Sequence, residues 1–377
     1  YIRRTGREMI RLRSRESAAG LWGPTTADFS DDHGATWSDP QAWPSGEAQD
    51  GGVWRAAWQP PVPVGDRLLL VGAAGLLPQD RAEETLTCLA PRFRVSDDGG
   101  RTWSDAAPMI QAGPQFHEAH PFHGVWLGKN TLLPAGTPLV RRDGAILVPC
   151  TLVLQDEAED GRQPRPPGAP LRNAAIVLEG VWRADGRIDW NASDPVQLQP
   201  AQSQSGAADP ALADLGDGRL LMVFRASAGT HDPEAGYAWF SLSTDGGRTW
   251  GRAWPWTFSD GTPFYAPALP SRLFRHSSGA WHWFGVLCLD PPTGERPGYP
   301  LVTARLEPGS LRLDMGSLAM IDSRRAGDTE ALRLGPFSLH EDRRTGDVGL
   351  RLTRRDAAVN GRDSVIRSEL IAHLLDL

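Results

Sequence analysis

The 377 residues carry 46 acidic against 39 basic side chains, a formal net charge of −7, which leaves a nucleic-acid partner without an electrostatic footprint. Hydrophobic residues at 40% and charged residues at 23% are the proportions of an ordinary globular chain with ample material for a core. No apolar run approaches the roughly 18 residues needed to cross a bilayer, so no membrane partner is expected.

Lys129 is the only lysine. Schiff-base chemistry therefore has almost no candidate, and arginine, the better bidentate ligand for a carboxylate, is the available cation. Cys88, Cys150 and Cys288 lie far apart without a C-x-x-C pair and read as buried small hydrophobes. No metal and no cofactor is expected. The sequence starts at Tyr1 and not at Met, so no compartment is read from it; secreted and periplasmic placement both stay open.

Along the chain, residues 7–13 read as a first strand, and a turn motif follows at Ser30-Asp-Asp-His-Gly-Ala-Thr-Trp37. The strand Arg67–Ala73 leads to a second copy, Ser96-Asp-Asp-Gly-Gly-Arg-Thr-Trp103. The strand Ala145–Leu154 precedes an apolar-poor stretch, Gln155–Pro170, read as a mobile surface loop. A decayed copy at Arg183-Ala-Asp-Gly-Arg-Ile-Asp-Trp190 keeps the Asp and Trp at the same separation. The strand Arg219–Arg225 leads to the third full copy, Ser243-Thr-Asp-Gly-Gly-Arg-Thr-Trp250. Further strands are expected near 263–287, 299–306, 331–339 and 346–354, with Ser364–Leu377 as a closing strand that pairs with residues 7–13. No long 3.6-residue period appears, so little helix is expected.

The motif S-x-D-x-G-x-T-W is a hairpin clamp. Asp32, Asp98 and Asp245 accept hydrogen bonds from turn N–H groups, Gly34, Gly100 and Gly247 take positive φ, and Trp37, Trp103 and Trp250 plug apolar space between sheets. The copies begin at residues 30, 96, 183 and 243, intervals of about 60 to 90 residues that hold a four-stranded blade with room for loops. Four boxed blades and two boxless ones predict an all-β, six-bladed β-propeller of four-stranded antiparallel blades, one domain over residues 1–377.

In these boxes the sequence resembles the Asp-box, or BNR-repeat, proteins of the sialidase superfamily. The resemblance places the boxes on the outer rim, remote from substrate. It extends to Asp209–Arg225, DPALADLGDGRLLMVFR, which looks like the sialidase segment carrying a glutamate and one arginine of a triad that clamps the substrate carboxylate. On that match Arg225 is a clamp arginine, and Asp209 stands where a glutamate activates a tyrosine nucleophile. The segment Ala266–Arg272 resembles the next such strand and offers Arg272, with Arg275 close by; Arg3, Arg13 and Arg15 compete for the third place. The tyrosine itself is missing: the matching stretch reads Gly335-Pro-Phe337-Ser338-Leu339, and phenylalanine cannot attack an anomeric carbon. Glu16 is the nearest carboxylate to the expected acid–base loop.

A second cluster is Gln115-Phe-His117-Glu118-Ala-His120-Pro-Phe-His123. Read as extended, it sends His117 and His123 one way and His120 the other. The first reading is of plain loop histidines making backbone hydrogen bonds, and the spacing is no strong metal-ligand signature; beside that reading His117 and His120, with His231, Tyr237 and Tyr265, are candidates for sugar contact or proton transfer. Three functions follow. The first is an exo-acting glycoside hydrolase on an acidic sugar, with Asp209 and Glu16 as catalytic carboxylates and Arg225, Arg272 and Arg15, helped by His117, His120 and Tyr265, binding the substrate. The second is a uronate-cleaving polysaccharide lyase, a class also found among propellers resembling sialidases. The third is a carbohydrate-binding propeller without catalysis.

Overall fold

The computed structural model describes residues 1–3, 5–16, 22–43, 46–81, 84–154, 172–203, 205–226, 236–360 and 363–377. The chain groups into two compact units, Tyr1–Pro166 with Ile176–Pro195, and Pro167–Ala175 with Val196–Leu377. The stretch Gln155–Pro170 and His231 lie outside the described residues, as do the side chains of Arg15 and Glu16.

The first unit holds three sheets. One runs β1 (Met9–Glu16), β2 (Trp22–Ser30), β3 (Gln41–Trp43). The next is built from β4 (Gly46–Gln49), β5 (Gly52–Trp58), β6 (Val62–Val64), β7 (Arg67–Leu77), β8 (Ala90–Ser96) and β9 (Ala107–Pro108), with the short helix α1 (Thr85–Cys88) between β7 and β8. The third comprises β10 (Thr131–Pro134), β11 (Leu139–Val140), β12 (Ile146–Leu154), β13 (Arg172–Trp182) and β14 (Ile188–Ala192). The second unit holds a sheet β15 (Ala207–Asp214), β16 (Leu220–Ala226), β17 (Ala238–Ser243), β18 (Trp254–Pro255). After it come a sheet β19 (Arg272–Arg275), β20 (Trp281–Val286), β21 (Leu301–Arg305), β22 (Ala319–Asp322), and a sheet β23 (Arg333–Glu341), β24 (Val348–Asn360), β25 (Asp363–Leu375).

These six sheets of antiparallel neighbours, each from strands consecutive in sequence, are the blades of an all-β six-bladed β-propeller. The blades are not uniformly four-stranded. The first and last have three strands, and the second and third gain the short strands β6 and β11, which pair onto β7 and β12. The expected pairing of the C-terminal strand with residues 7–13 is also corrected: β1 forms its hairpin with β2, Met9 opposite Ser30, and β25 is zipped along β24 from Val348–Leu375 to Asn360–Asp363. A long hairpin with a short connection closes at smaller entropy cost than a pairing between the chain's two ends.

The boxes behave as their chemistry dictates. In the second blade the Asp98 carboxylate accepts from Thr102 N (2.9 Å), Thr102 Oγ1 (2.6 Å), Arg101 N (3.0 Å) and Ser96 Oγ (2.8 Å), while Gly100 takes φ +88°. Asp32 and Asp245 repeat the pattern on Thr36 and Thr249. The Trp37 and Trp103 indoles donate to the Gly34 and Gly100 carbonyls, and Trp103 packs edge-on against Trp43 (5.3 Å). The decayed copy keeps the plug, with Trp190 1% exposed, but Asp185 accepts only from Arg187 N among the bonds described.

The threonine hydroxyl, then the turn amides, hold the Asp32 and Asp98 carboxyls at about 2, below the ordinary 3.8. A folded-state value below the unfolded one stabilises the fold above pH ~4 and loses that contribution as pH falls toward 2. Thermal melts from pH 5 to 2 are therefore expected to fall most steeply below pH ~4, and Asp98→Asn is expected to melt lower at neutral pH with a shallower acid slope. Equal acid slopes for the two proteins would contradict this.

Candidate functional site

The site grows from an irregularity at the start of β15. Ala207 and Ala208 oppose Ala226 and Arg225, and then the register jumps so that Ala211 opposes Val223. Asp209 and Pro210 thus face the single residue Phe224, a β-bulge, where proline's missing N–H costs no ladder bond. Asp209 takes φ +49°, a left-handed conformation that favours glycine and that aspartate tolerates better than most side chains. Its carboxylate is turned onto Arg225, whose Nε donates to Asp209 Oδ2.

Arg225 lies one residue from the end of β16 between Ala208 and Ala238, two small neighbours that leave room for the guanidinium. The two partners are 28% and 23% exposed, so the pair is open to solvent on one side. Arg272 begins β19 opposite Phe284, and its Nη1 donates to the Ser271 carbonyl (3.1 Å). Burial pushes the Arg272 guanidinium below its ordinary value and the charge of Asp209 pushes back, so this carboxylate lies within electrostatic reach of both arginines. Arg272 remains cationic under any working condition.

Two tyrosines complete the group. Tyr237 directly precedes Ala238, the partner of Arg225, and forms a bridge with Tyr265; their rings stack at 5.0 Å and 18°. Tyr265 is held from its other side by Cys288, whose N–H donates to the Tyr265 carbonyl (2.8 Å). At Gly236 a Cβ would stand 2.8 Å from Pro292 and 3.1 Å from the Tyr265 ring, so only glycine permits this approach. Beneath lies a core of Val223, Ala238, Trp256, Phe264 and Trp283. The box turn sits at the other end of β17, about 17 Å away at ~3.3 Å per residue.

The remaining expectations separate by place. Arg275 occupies the other end of β19 opposite Trp281, whereas Arg272 is the one within electrostatic reach of Asp209. Arg13 and Arg11, in the first unit, both bind the fully buried Asp28, so Arg13 is engaged in a structural ion pair. Arg3 is exposed. Phe337 packs with Leu350, Leu352 and their neighbours in the core of the last blade, opposite Leu352, and takes no part in the site. The histidine stretch is not extended. His117 and His120 exchange backbone bonds (3.1 and 2.9 Å) in a tight turn, which brings their rings to 6.3 Å of one another. No group of three metal-ligating side chains occurs among the described residues. Neither the bulge's effect nor the half-buried setting of Arg272 had a signal in the sequence, since both depend on how β15 and β19 pair and pack.

Fold and boxes together define an Asp-box β-propeller. Residues 25–263 match the BNR repeat-like domain, and the chain belongs to that family. Among solved structures it is similar to a Dyadobacter fermentans protein of unknown function (14% identity, TM-score 0.59, 98% of this chain and 92% of that one). It is similar also to a Trypanosoma rangeli sialidase in complex with sialic acid (15%, TM-score 0.62, 98% and 52%), of which it spans about half the length. A third is an intramolecular trans-sialidase from Ruminococcus gnavus in complex with oseltamivir carboxylate (13%, TM-score 0.54, 92% and 87%). No curated protein matches.

Proposed function

We propose that this protein takes an acidic sugar by its carboxylate at Arg225 and Arg272 and releases it from a glycan as an exo-acting glycoside hydrolase. The observation that carries the reading is the Arg225–Asp209 pair at one end of the fourth blade, with Arg272 at the start of the next blade within electrostatic reach of the same carboxylate and the Tyr237–Tyr265 stack following on from Arg225's partner Ala238. Guanidinium forks match a sugar carboxylate, and the aromatic pair offers a wall for the ring. Asp209, an acceptor toward Arg225 Nε, suits proton abstraction from water or from a nearby phenol. Sugar-binding sialidases of the same fold, one holding sialic acid, support the substrate class.

A second reading is a uronate-cleaving lyase, which needs no tyrosine nucleophile: the stretch matched to the relatives' tyrosine carries Phe337, partly buried against the core of the last blade. There Arg225 and Arg272 neutralise the uronate, and Tyr237 or Tyr265 serves as base. Incubation with a sialoside and with a uronan separates the two. Release of free acidic sugar without ultraviolet absorbance from a C=C–COO⁻ product is expected. A rise in that absorbance replaces the hydrolase by the lyase, and no turnover of either leaves a binding protein.

A further inference from the structure

The first unit carries an exposed aromatic feature that the acidic-sugar reading does not use. Trp126 is 46% exposed and its neighbour Leu127 is 44% exposed. A large indole left in water is informative when the backbone beneath it is fixed. Here it is fixed: Trp126 N–H donates to Asn130 Oδ1 (2.7 Å), Asn130 Nδ2 donates to the Gly124 carbonyl (2.7 Å), and Leu127 N–H donates to Ala119 (3.0 Å). Phe122 and Val125, at 0% and 2% exposure, anchor the loop from below.

Around the indole stand hydrogen-bonding groups. The His120 ring lies edge-on to Trp126 at 3.7 Å, with Phe116 at 5.4 Å and His117 at 6.3 Å from His120. Glu118 reaches Arg92 (3.5 Å), and Arg92 in turn lies over Trp54 (5.3 Å). Residues 109–130 contain one lysine, Lys129, and one acid, Glu118, so the segment is formally neutral. Desolvation, then the neighbouring His117 and His123, lowers the basicity of His120, which favours its neutral ring.

From this arrangement we infer that Trp126 with His117, His120 and Glu118 is a binding site for an uncharged hexopyranose unit of a glycan. A flat apolar indole accepts the C–H face of a pyranose, and imidazole and carboxylate groups at its margin bond the equatorial hydroxyls. Glu118 and Arg92 engage one another, and the exposed Glu118 carboxylate disfavours a carboxylate or phosphate ligand in this group. The preformed loop keeps the ordering cost of binding low.

Saturation-transfer NMR with lactose, methyl β-glucopyranoside and methyl β-N-acetylglucosaminide tests the inference. Transfer to ring C–H protons of at least one sugar is expected in the native protein. Trp126→Ala, at an exposed position that leaves the fold intact by circular dichroism, is expected to weaken that sugar roughly tenfold or more, and Trp126→Phe to retain most of the affinity. His120→Ala is expected to weaken it less. Transfer from none of the sugars, or transfer unchanged in Trp126→Ala, overturns the site. These sugars carry no carboxylate, so the result stands whether or not the Arg225–Arg272 reading holds.

Discussion

Replacing Arg272 by methionine is expected to weaken an acidic sugar by about 2 kcal/mol or more, at least roughly thirtyfold in affinity. Among the described residues Arg225, Arg272 and Asp209 together carry one net positive charge, and removing Arg272 leaves Arg225 opposite Asp209 with no surplus from these three for a ligand. Methionine fills much of the same buried volume, so the loss is in charge and not in packing. Arg225→Met is expected to act on binding and also to free Asp209 from its partner. Asp209→Asn works in the opposite sense: it raises the site's net charge, so binding of the acid holds or tightens while turnover falls if Asp209 takes the proton. A fall in kcat without a rise in KM is the expected signature. A tenfold rise in KM for Asp209→Asn with kcat unchanged would remove the proton-accepting role.

The largest stability effect is expected at the edge of the last two blades. Arg354, 4% exposed, binds Asp322, 5% exposed, at 2.6 Å, and also engages Asp328 and the Ser323 carbonyl. Asp322 further receives Arg325 (3.4 Å) and faces His373 Nε2 (3.4 Å). Asp322→Ala leaves the buried Arg354 guanidinium with Asp328 and the Ser323 carbonyl but without its closest buried partner, and is expected to cost about 3 kcal/mol, read as a lower denaturant midpoint at unchanged slope. The double variant Asp322→Leu with Arg354→Met is expected to recover much of that loss, because it removes the under-compensated buried cation as well. A double variant as unstable as Asp322→Ala would show that packing, and not charge, sets the cost.

The architecture was legible because the box is local chemistry. Serine, aspartate, glycine, threonine and tryptophan at fixed spacing determine one hairpin turn whatever surrounds it, and copies such as Asp98 and Asp245 then mark successive blades. The partner of residues 364–377 was not legible, since β24 and the N-terminal strand offer similar apolar patterns and the sequence alone does not choose between them. The same limit applied at the site. The arginines at 225 and 272 were visible as residue types, whereas the bulge at Asp209-Pro210 that turns a carboxylate between them is a matter of register. His117 and His120 were legible as loop histidines making backbone hydrogen bonds, which they exchange with one another; only the alternation of an extended stretch does not apply to them. Trp126 carried no signal at all: a single tryptophan in a loop is indistinguishable from a core plug until its exposure is known. Phe337 was visible as a residue type, and its partly buried place against the core of the last blade was not.

Recognition of a sugar carboxylate at Arg225 and Arg272 is the claim on which the functional account turns. The measurement that bears on it most directly is a calorimetric titration of the native protein with a sialic acid and a hexuronic acid, each beside its methyl ester, at low and at physiological salt. The account predicts that at least one free acid binds, that its ester binds at least roughly thirtyfold more weakly, and that added salt narrows the difference. Equal binding of acid and ester, or binding of neither acid, would contradict it.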